Sequence, residues 1–180
     1  MSKEETTQEA RVQSLYDIAS ILVTAVVIVA MVFTFVFRLV GVAQSSMEPT
    51  LHEHNNLLVS AFLPKARQGD IVIITDPYYA YPLVKRVIAT GGQTVNIDFE
   101  KGKVYVDGKL QVEPYIMEPT TREGDVEFPL TVPKGCVFVL GDNRNDSIDS
   151  RQSTVGCVPE KYLLGRVFVR VTPFGQWKIK

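Results

Sequence analysis

The sequence predicts a mainly β protein: a single N-terminal transmembrane helix followed by a β-rich domain of short, mostly antiparallel strands. Three observations predict it. Ile18 to Phe37 is an apolar run broken only by Ser20, Thr24 and Thr34, and a helix needs about 20 such residues to cross the hydrocarbon core. After Arg38 the apolar residues fall at period two or in short runs between turn residues, the pattern of strands. Beyond the apolar run, only Pro159 to Leu164 reads as helical, with Pro at its start and Gly165 at its stop.

In chain order, residues 1–17 are polar and mixed in charge, with Lys3 and Arg11 against Glu4, Glu5, Glu9 and Asp17. They read as a short tail with one helical turn near the membrane. Residues 18–37 form the anchor; its Ser and Thr hydroxyls can bond back to helix carbonyls. Gly41-Val42-Ala43 resembles a signal-peptide cleavage site. The apolar run is longer than an h-region, however, and its leading segment is net acidic, so a retained anchor is the better reading. The positive-inside rule leans towards a cytoplasmic N-terminus, with the bulk of the chain outside.

Residues 38–180 form the β domain. Leu39–Ala43, Leu57–Ser60, Asp70–Ile74 and Leu83–Thr90 read as strands. Lys103–Val106 and Lys109–Val112 flank Asp107-Gly108, a hairpin signal of the mirror-turn type. Val137–Leu140 and Arg166–Thr172 complete the set. Residues 113–135 carry Pro114, Pro119, Pro129 and Pro133 with five acidic residues, and read as a surface excursion.

The 180 residues hold one domain plus a membrane segment. A net charge of -1 without a basic run points away from nucleic acid. The two cysteines, Cys136 and Cys157, exclude a disulfide framework. They read as small buried apolar residues, with a single bridge left open. Nothing in the sequence implies an oligomer.

Ser46, in Ser46-Met47-Glu48-Pro49-Thr50-Leu51, lies just past the membrane exit and reads as a nucleophile. There is no Gly-x-Ser-x-Gly elbow around it. His52 and His54 would share one face of a strand, but no third ligand follows at recognisable spacing, and exposed turn residues are the simpler reading. Asp142 to Asp146 starts like a calcium loop and fails at Arg144, Ser147 and Ser153. Asn145-Asp146-Ser147 is a formal glycosylation triplet. No metal or cofactor is implied.

A serine nucleophile needs a base. Lysine serves when neutral, which burial among apolar atoms favours. Lys85 sits mid-strand with Leu83 and Val87 on its own face. The alternation does not separate it from Arg86, whose face carries Val84 and Ile88; the chemistry does, because arginine keeps its proton. The polar run Gly141 to Arg151 follows a buried-type strand, where supporting residues collect. A hydroxyl there, such as Ser147, could fix the lysine amine.

These motifs, taken in order, resemble the type I signal peptidases of bacteria. The match runs from the anchor to about Arg170: Ser46-Met47-x-Pro49-Thr50, Gly69-Asp70-Ile71-Val72, Val84-Lys85-Arg86-Val87-Ile88-Ala89, then Gly141-Asp142-Asn143-Arg144 with Ser147, Asp149, Ser150 and Arg151. The resemblance implies a β-rich catalytic domain on the outer face of the membrane and a metal-free Ser/Lys serine endopeptidase. Its partners would be membrane lipid and the signal peptides of exported preproteins, cut after small-x-small sequences. It implies Ser46 as nucleophile, Lys85 as general base, and Ser147 as the residue that orients Lys85. Asp149 with Arg151, and Arg86 with Asp142, would brace the site, with Met47 in support. The Ser46 N–H would join the oxyanion hole. Val42, Leu51 and Val84 would line pockets for small side chains. Gln44 stands where some members carry a serine that completes the oxyanion hole. The short segment between Lys85 and Gly141 is similar to the compact Gram-positive forms. Self-cleaving repressors of the DNA-damage response share the dyad, but carry a DNA-binding module where this chain has a membrane span. An inactive tethered binding module is the other alternative, disfavoured by Ser46, Lys85 and Ser147 standing together.

Overall fold

The computed structural model describes residues 3–61, 65–75 and 81–173. The chain divides into two compact units, Met1–Arg38 and Leu39–Lys180.

The first unit is a helix, α1 (Lys3–Val36, 34 residues). Its stretch Arg11–Val36 has a mean hydropathy of 2.7 and is long and apolar enough to cross a membrane. Ser20 Oγ donates to the Asp17 carbonyl, Thr24 Oγ1 to Ser20 and Thr34 Oγ1 to Ala30, so each hydroxyl within the apolar run is satisfied inside the helix. The helix also corrects the reading of residues 1–17 as a tail with one helical turn. From Lys3 to Asp17 there is no Pro or Gly, and most residues are good helix formers. A helix nucleated in the apolar run therefore propagates back through them.

The second unit holds two antiparallel sheets. The larger is built from β1 (Phe37–Gly41), β2 (Asn56–Ser60), β3 (Ile71–Ile74), β4 (Leu83–Thr90), β9 (Cys136–Leu140), β10 (Val158–Pro159) and β11 (Leu163–Thr172), in the order β1-β2-β11-β3-β4-β9-β10. The smaller runs β7-β6-β5-β8, from β5 (Thr94–Asp98), β6 (Lys103–Val106), β7 (Lys109–Leu110) and β8 (Leu130–Thr131). Mainly β architecture behind one apolar helix is what the sequence predicts. In the hairpin turn, Asp107 and Gly108 take φ of 51° and 73°, the left-handed pair a mirror turn requires.

Three differences stand out. β5, β8 and β10 lie outside the predicted strands. Pro159–Leu164 is not a helix of one or two turns: a single 3-10 turn covers Glu160–Tyr162, and Leu163 already belongs to β11. Leu163 pairs with Ile74, and the ladder of β3 claims residues that local signals assigned to helix. The excursion 113–135 contributes β8, and its Thr120 is fully buried.

The core sits in three clusters. Ile88, Ala89, Phe138 and Leu140 of the large sheet meet Val95, Ile97, Val104 and Val106 of the small one, joining the two sheets. Val72, Val87 and Val139 centre the second cluster, with Leu83 against it. Val42, Met47, Leu51, Leu57 and Ile73 form the third, which underlies the turn that carries Ser46.

Candidate active site

The turn after β1 presents Ser46. Met47 and Leu51 are 1% and 0% exposed, and the Leu51 N–H closes a turn on the Met47 carbonyl at 2.9 Å. Burying these two side chains fixes the backbone between them and leaves Ser46 facing a cavity. Lys85 comes from the middle of β4, opposite Val72 of β3. It is 1% exposed, and its Nζ lies 2.6 Å from Ser46 Oγ. Burial lowers its pKa to about 8, and Arg151 lowers it too, while the charges of Asp149 and Asp142 pull the other way. At pH 7 roughly one molecule in ten then holds a neutral amine beside the serine, and the fraction rises steeply with pH.

That burial is costly for stability. The depressed pKa means that the unfolded chain binds the proton more tightly than the folded one. The penalty is full below the folded pKa of about 8 and vanishes above about 10.5, where lysine is neutral in both states. Lys85→Met is expected to raise stability at pH 7 by about 3 kcal/mol. Urea unfolding across the pH range checks this, with the gain shrinking as the pH rises to that of free lysine.

Two buried ion pairs tie the polar loop after β9 to this pair. Arg86, the neighbour of Lys85, grips Asp142 with Nε at 2.8 Å and Nη2 at 2.7 Å. Asp142 also accepts from Thr50 Oγ1 at 2.5 Å, so one carboxylate joins β4 to the Ser46 turn. Arg151 meets Asp149 with Nε at 2.8 Å and Nη2 at 2.9 Å, and Asp149 accepts from the Gly141 N–H at 3.0 Å. Burial opposes ionisation of Asp149, but Arg151 and the Gly141 N–H outweigh it and hold the carboxyl below its ordinary range. The Asn143 N–H donates to the Ser46 carbonyl at 3.1 Å.

Ser147 is 6% exposed. Its Oγ meets no hydrogen-bond partner in acceptable geometry among the described residues, and it lines the same cavity as Ser46. An unpaired buried hydroxyl costs about 1–3 kcal/mol.

Ser46 lies where two cavities join. One, of about 370 Å³, is mostly apolar and lined by Val40, Val42, Met47, Pro82 and Val84. The other, of about 690 Å³, has a polar wall of Glu53, Arg122, Asp146 and Ser147. Gln44 and Tyr81 border both. Leu51, by contrast, is enclosed in the core beneath the turn. His52 and His54 lie in a turn rather than a strand, His54 has φ of 65°, and His52 stands 3.4 Å from Glu48. The two thiols are free, and burial pushes Cys157 up to about 11.

Sequence reasoning missed Thr50 as a link, Tyr81 as a cavity wall, and Arg144 with its partners Glu113 and Thr120. The fully buried Arg144 donates to Glu113 Oε1 and Oε2 at 2.5 and 2.9 Å and to Thr120 Oγ1 at 2.8 Å. Arg144 sits in the polar run Gly141 to Arg151, where nothing local separates a buried arginine from a solvated one.

Comparison with known proteins identifies the family. The family model "Signal peptidase, peptidase S26" matches residues 15–172. The chain is 37% identical over 166 residues to the probable signal peptidase I-2 of Synechocystis sp., covering 87% of this chain and 73% of that protein. It is 32% identical over 186 residues to signal peptidase I of Bacillus licheniformis, covering 98% and 97%. A crystal structure of a signal peptidase I from Enterococcus faecalis V583 superposes with a TM-score of 0.50 at 30% identity, covering 58% of this chain and 97% of that one. With a β domain, an apolar helix and a family match over nearly its whole length, the chain belongs to the signal peptidase family, peptidase S26.

Proposed function

We propose that this chain is a membrane-bound serine endopeptidase that removes N-terminal signal peptides from exported preproteins after small-x-small sites. The observation that carries the reading is the 2.6 Å contact between the Lys85 amine and Ser46 Oγ, with burial lowering the amine's pKa to about 8. Ser46 Oγ attacks the scissile carbonyl as Lys85 takes its proton. The tetrahedral oxyanion is stabilised by backbone donors that include the Ser46 N–H. Collapse breaks the peptide bond, and Lys85 returns the proton to the leaving amine. Water then releases the acyl group, with Lys85 again as base. Ser147, which lines the same cavity as Ser46, orients the Lys85 amine.

The apolar cavity beside Ser46 receives the residues before the cut. Val42 and Val84 leave room for alanine, and each excess methylene costs about 1–3 kcal/mol of discrimination. The polar cavity on the other side takes the start of the mature chain. Residues 1–17 lie in the cytoplasm, 18–37 span the membrane, and 38–180 form the catalytic domain outside.

The test is cleavage of an Ala-x-Ala preprotein by the full chain in detergent, with product masses. A cut after the second alanine that disappears in folded Ser46→Ala supports the reading, and a cut elsewhere or an active Ser46→Ala removes it.

Gly141 offers a second check. A Cβ there would overlap Ser147 Oγ and lie 2.5 Å from the Ser46 carbonyl oxygen. Gly141→Ala must therefore push the loop off the nucleophile, and a shift near 1 Å is expected to lower kcat/KM about a hundredfold, measured on the same substrate.

A further inference from the structure

Tyr115 is held in the acidic excursion, far in sequence from Ser46 and Lys85, yet it reaches the groups that hold them. Its ring carries the Arg86 guanidinium at 3.9 Å on one contact and the Arg144 guanidinium at 5.9 Å on another. Its hydroxyl donates to Glu113 Oε1 at 3.2 Å, and Glu113 in turn receives both terminal nitrogens of Arg144. Two buried cations on different elements repel each other. An aromatic ring against both, with a carboxylate on each, is the arrangement that lets them stand close without water.

The consequence runs to the reacting atoms. Arg86 meets the ring on one side and donates on the other to Asp142 and, at 3.1 Å, to the Gly69 carbonyl. Asp142 holds Thr50 in the nucleophile turn, and Arg86 follows Lys85 directly on β4. We propose that Tyr115, through its ring, is a positioning residue for the Ser46–Lys85 pair, acting through Arg86 and Asp142. The proposal rests on the Ser/Lys reading given above.

Its signature is a pH profile. The charges facing Lys85 are Asp149 and Asp142, which favour its protonated form, and Arg151, which opposes it. Arg86, fixed by Tyr115, neutralises Asp142. Without the ring, Arg86 loosens and water enters, so the field of Asp142 at Lys85 is less cancelled and the amine is less desolvated. Both changes favour the protonated, inactive amine. Tyr115 itself stays protonated throughout, because burial and Glu113 raise its pKa.

The experiment is kcat/KM against pH for the full chain in detergent, comparing wild type, Tyr115→Phe, Tyr115→Leu and Lys85→Ala, with the thermal midpoint of each. Tyr115→Leu is expected to lose about tenfold at pH 7, equivalent to a one-unit rise in the lysine pKa, and to converge on wild type near pH 10. Tyr115→Phe keeps the ring and should stay within about twofold. If Tyr115→Leu does not fold, Tyr115→Met replaces it with the same expectation. A loss equal at every pH, no loss, or a Phe variant as impaired as Leu overturns the proposal while leaving the dyad standing. An active Lys85→Ala overturns the dyad itself, and the proposal with it.

Discussion

Lys85→Arg is expected to lower kcat/KM by at least about a thousandfold, the upper part of the range for a general base. The substitution keeps the positive charge and roughly the length of the side chain. What it removes is the neutral amine, since the guanidinium does not give up its proton at any working pH. Lys85→Ala should match it, and Ser46→Ala should add little further loss in combination, because the two groups act as one unit. Cleavage rates for the two single variants and the double variant check this. Additive losses would separate the serine from the lysine.

The second large effect concerns stability. Asp149 and Arg151 are 0% and 2% exposed, and removing one partner strands the other's charge in the interior. Asp149→Ala is expected to cost about 3–5 kcal/mol. Replacing both by apolar residues of similar size should cost much less, because neither charge of the pair is then left buried without the other. Asp98 and Lys101, also paired, sit at the surface. Breaking that pair should leave the unfolding midpoint nearly unchanged. Denaturant unfolding of the three variants separates these cases. An equal cost for Asp149→Ala and for the double replacement would show that packing, and not charge, dominates.

Several features of the fold were legible because one local pattern decides them. The alternation in Leu83–Thr90 places Lys85 with Leu83 and Val87 and places Arg86 with Val84 and Ile88. The structure keeps these faces apart as far as Val87, with Leu83 and Val87 in one cluster and Val84 in another, and an irregularity between Val87 and Ala89 then brings Ile88 and Ala89 into a single cluster. Asp107-Gly108 announces its turn by chemistry alone. Thr94–Asp98 also alternates, with Val95 and Ile97 inward, but Asn96 and Asp98 are poor strand formers and mute the signal. Leu130–Thr131 is two residues long and has no period to read.

The site divides in the same way. Ser46, Lys85 and the loop residues Asp142, Asp149 and Arg151 declare themselves by residue type and by order along the chain. Glu113, Thr120 and Tyr115 do not, because each meets Arg86 or Arg144 from some 20 to 30 residues away. A polar residue buried by a distant partner looks the same in sequence as one facing water. Leu51 shows the reverse case. It is apolar and next to the nucleophile turn, yet it belongs to the core beneath the cavity and not to its wall.

The central claim is that a neutral lysine activates Ser46. The pH dependence of kcat/KM, followed from pH 6 to 11 on one Ala-x-Ala substrate, reads it directly. An acidic limb with a pKa near 8, matching the value to which burial lowers Lys85, is the expected result. A limb near 6.5 would assign the base to an imidazole, and one near 10.4 to an ordinary exposed lysine. Either would mean that the buried Lys85 is not the group that takes the serine proton.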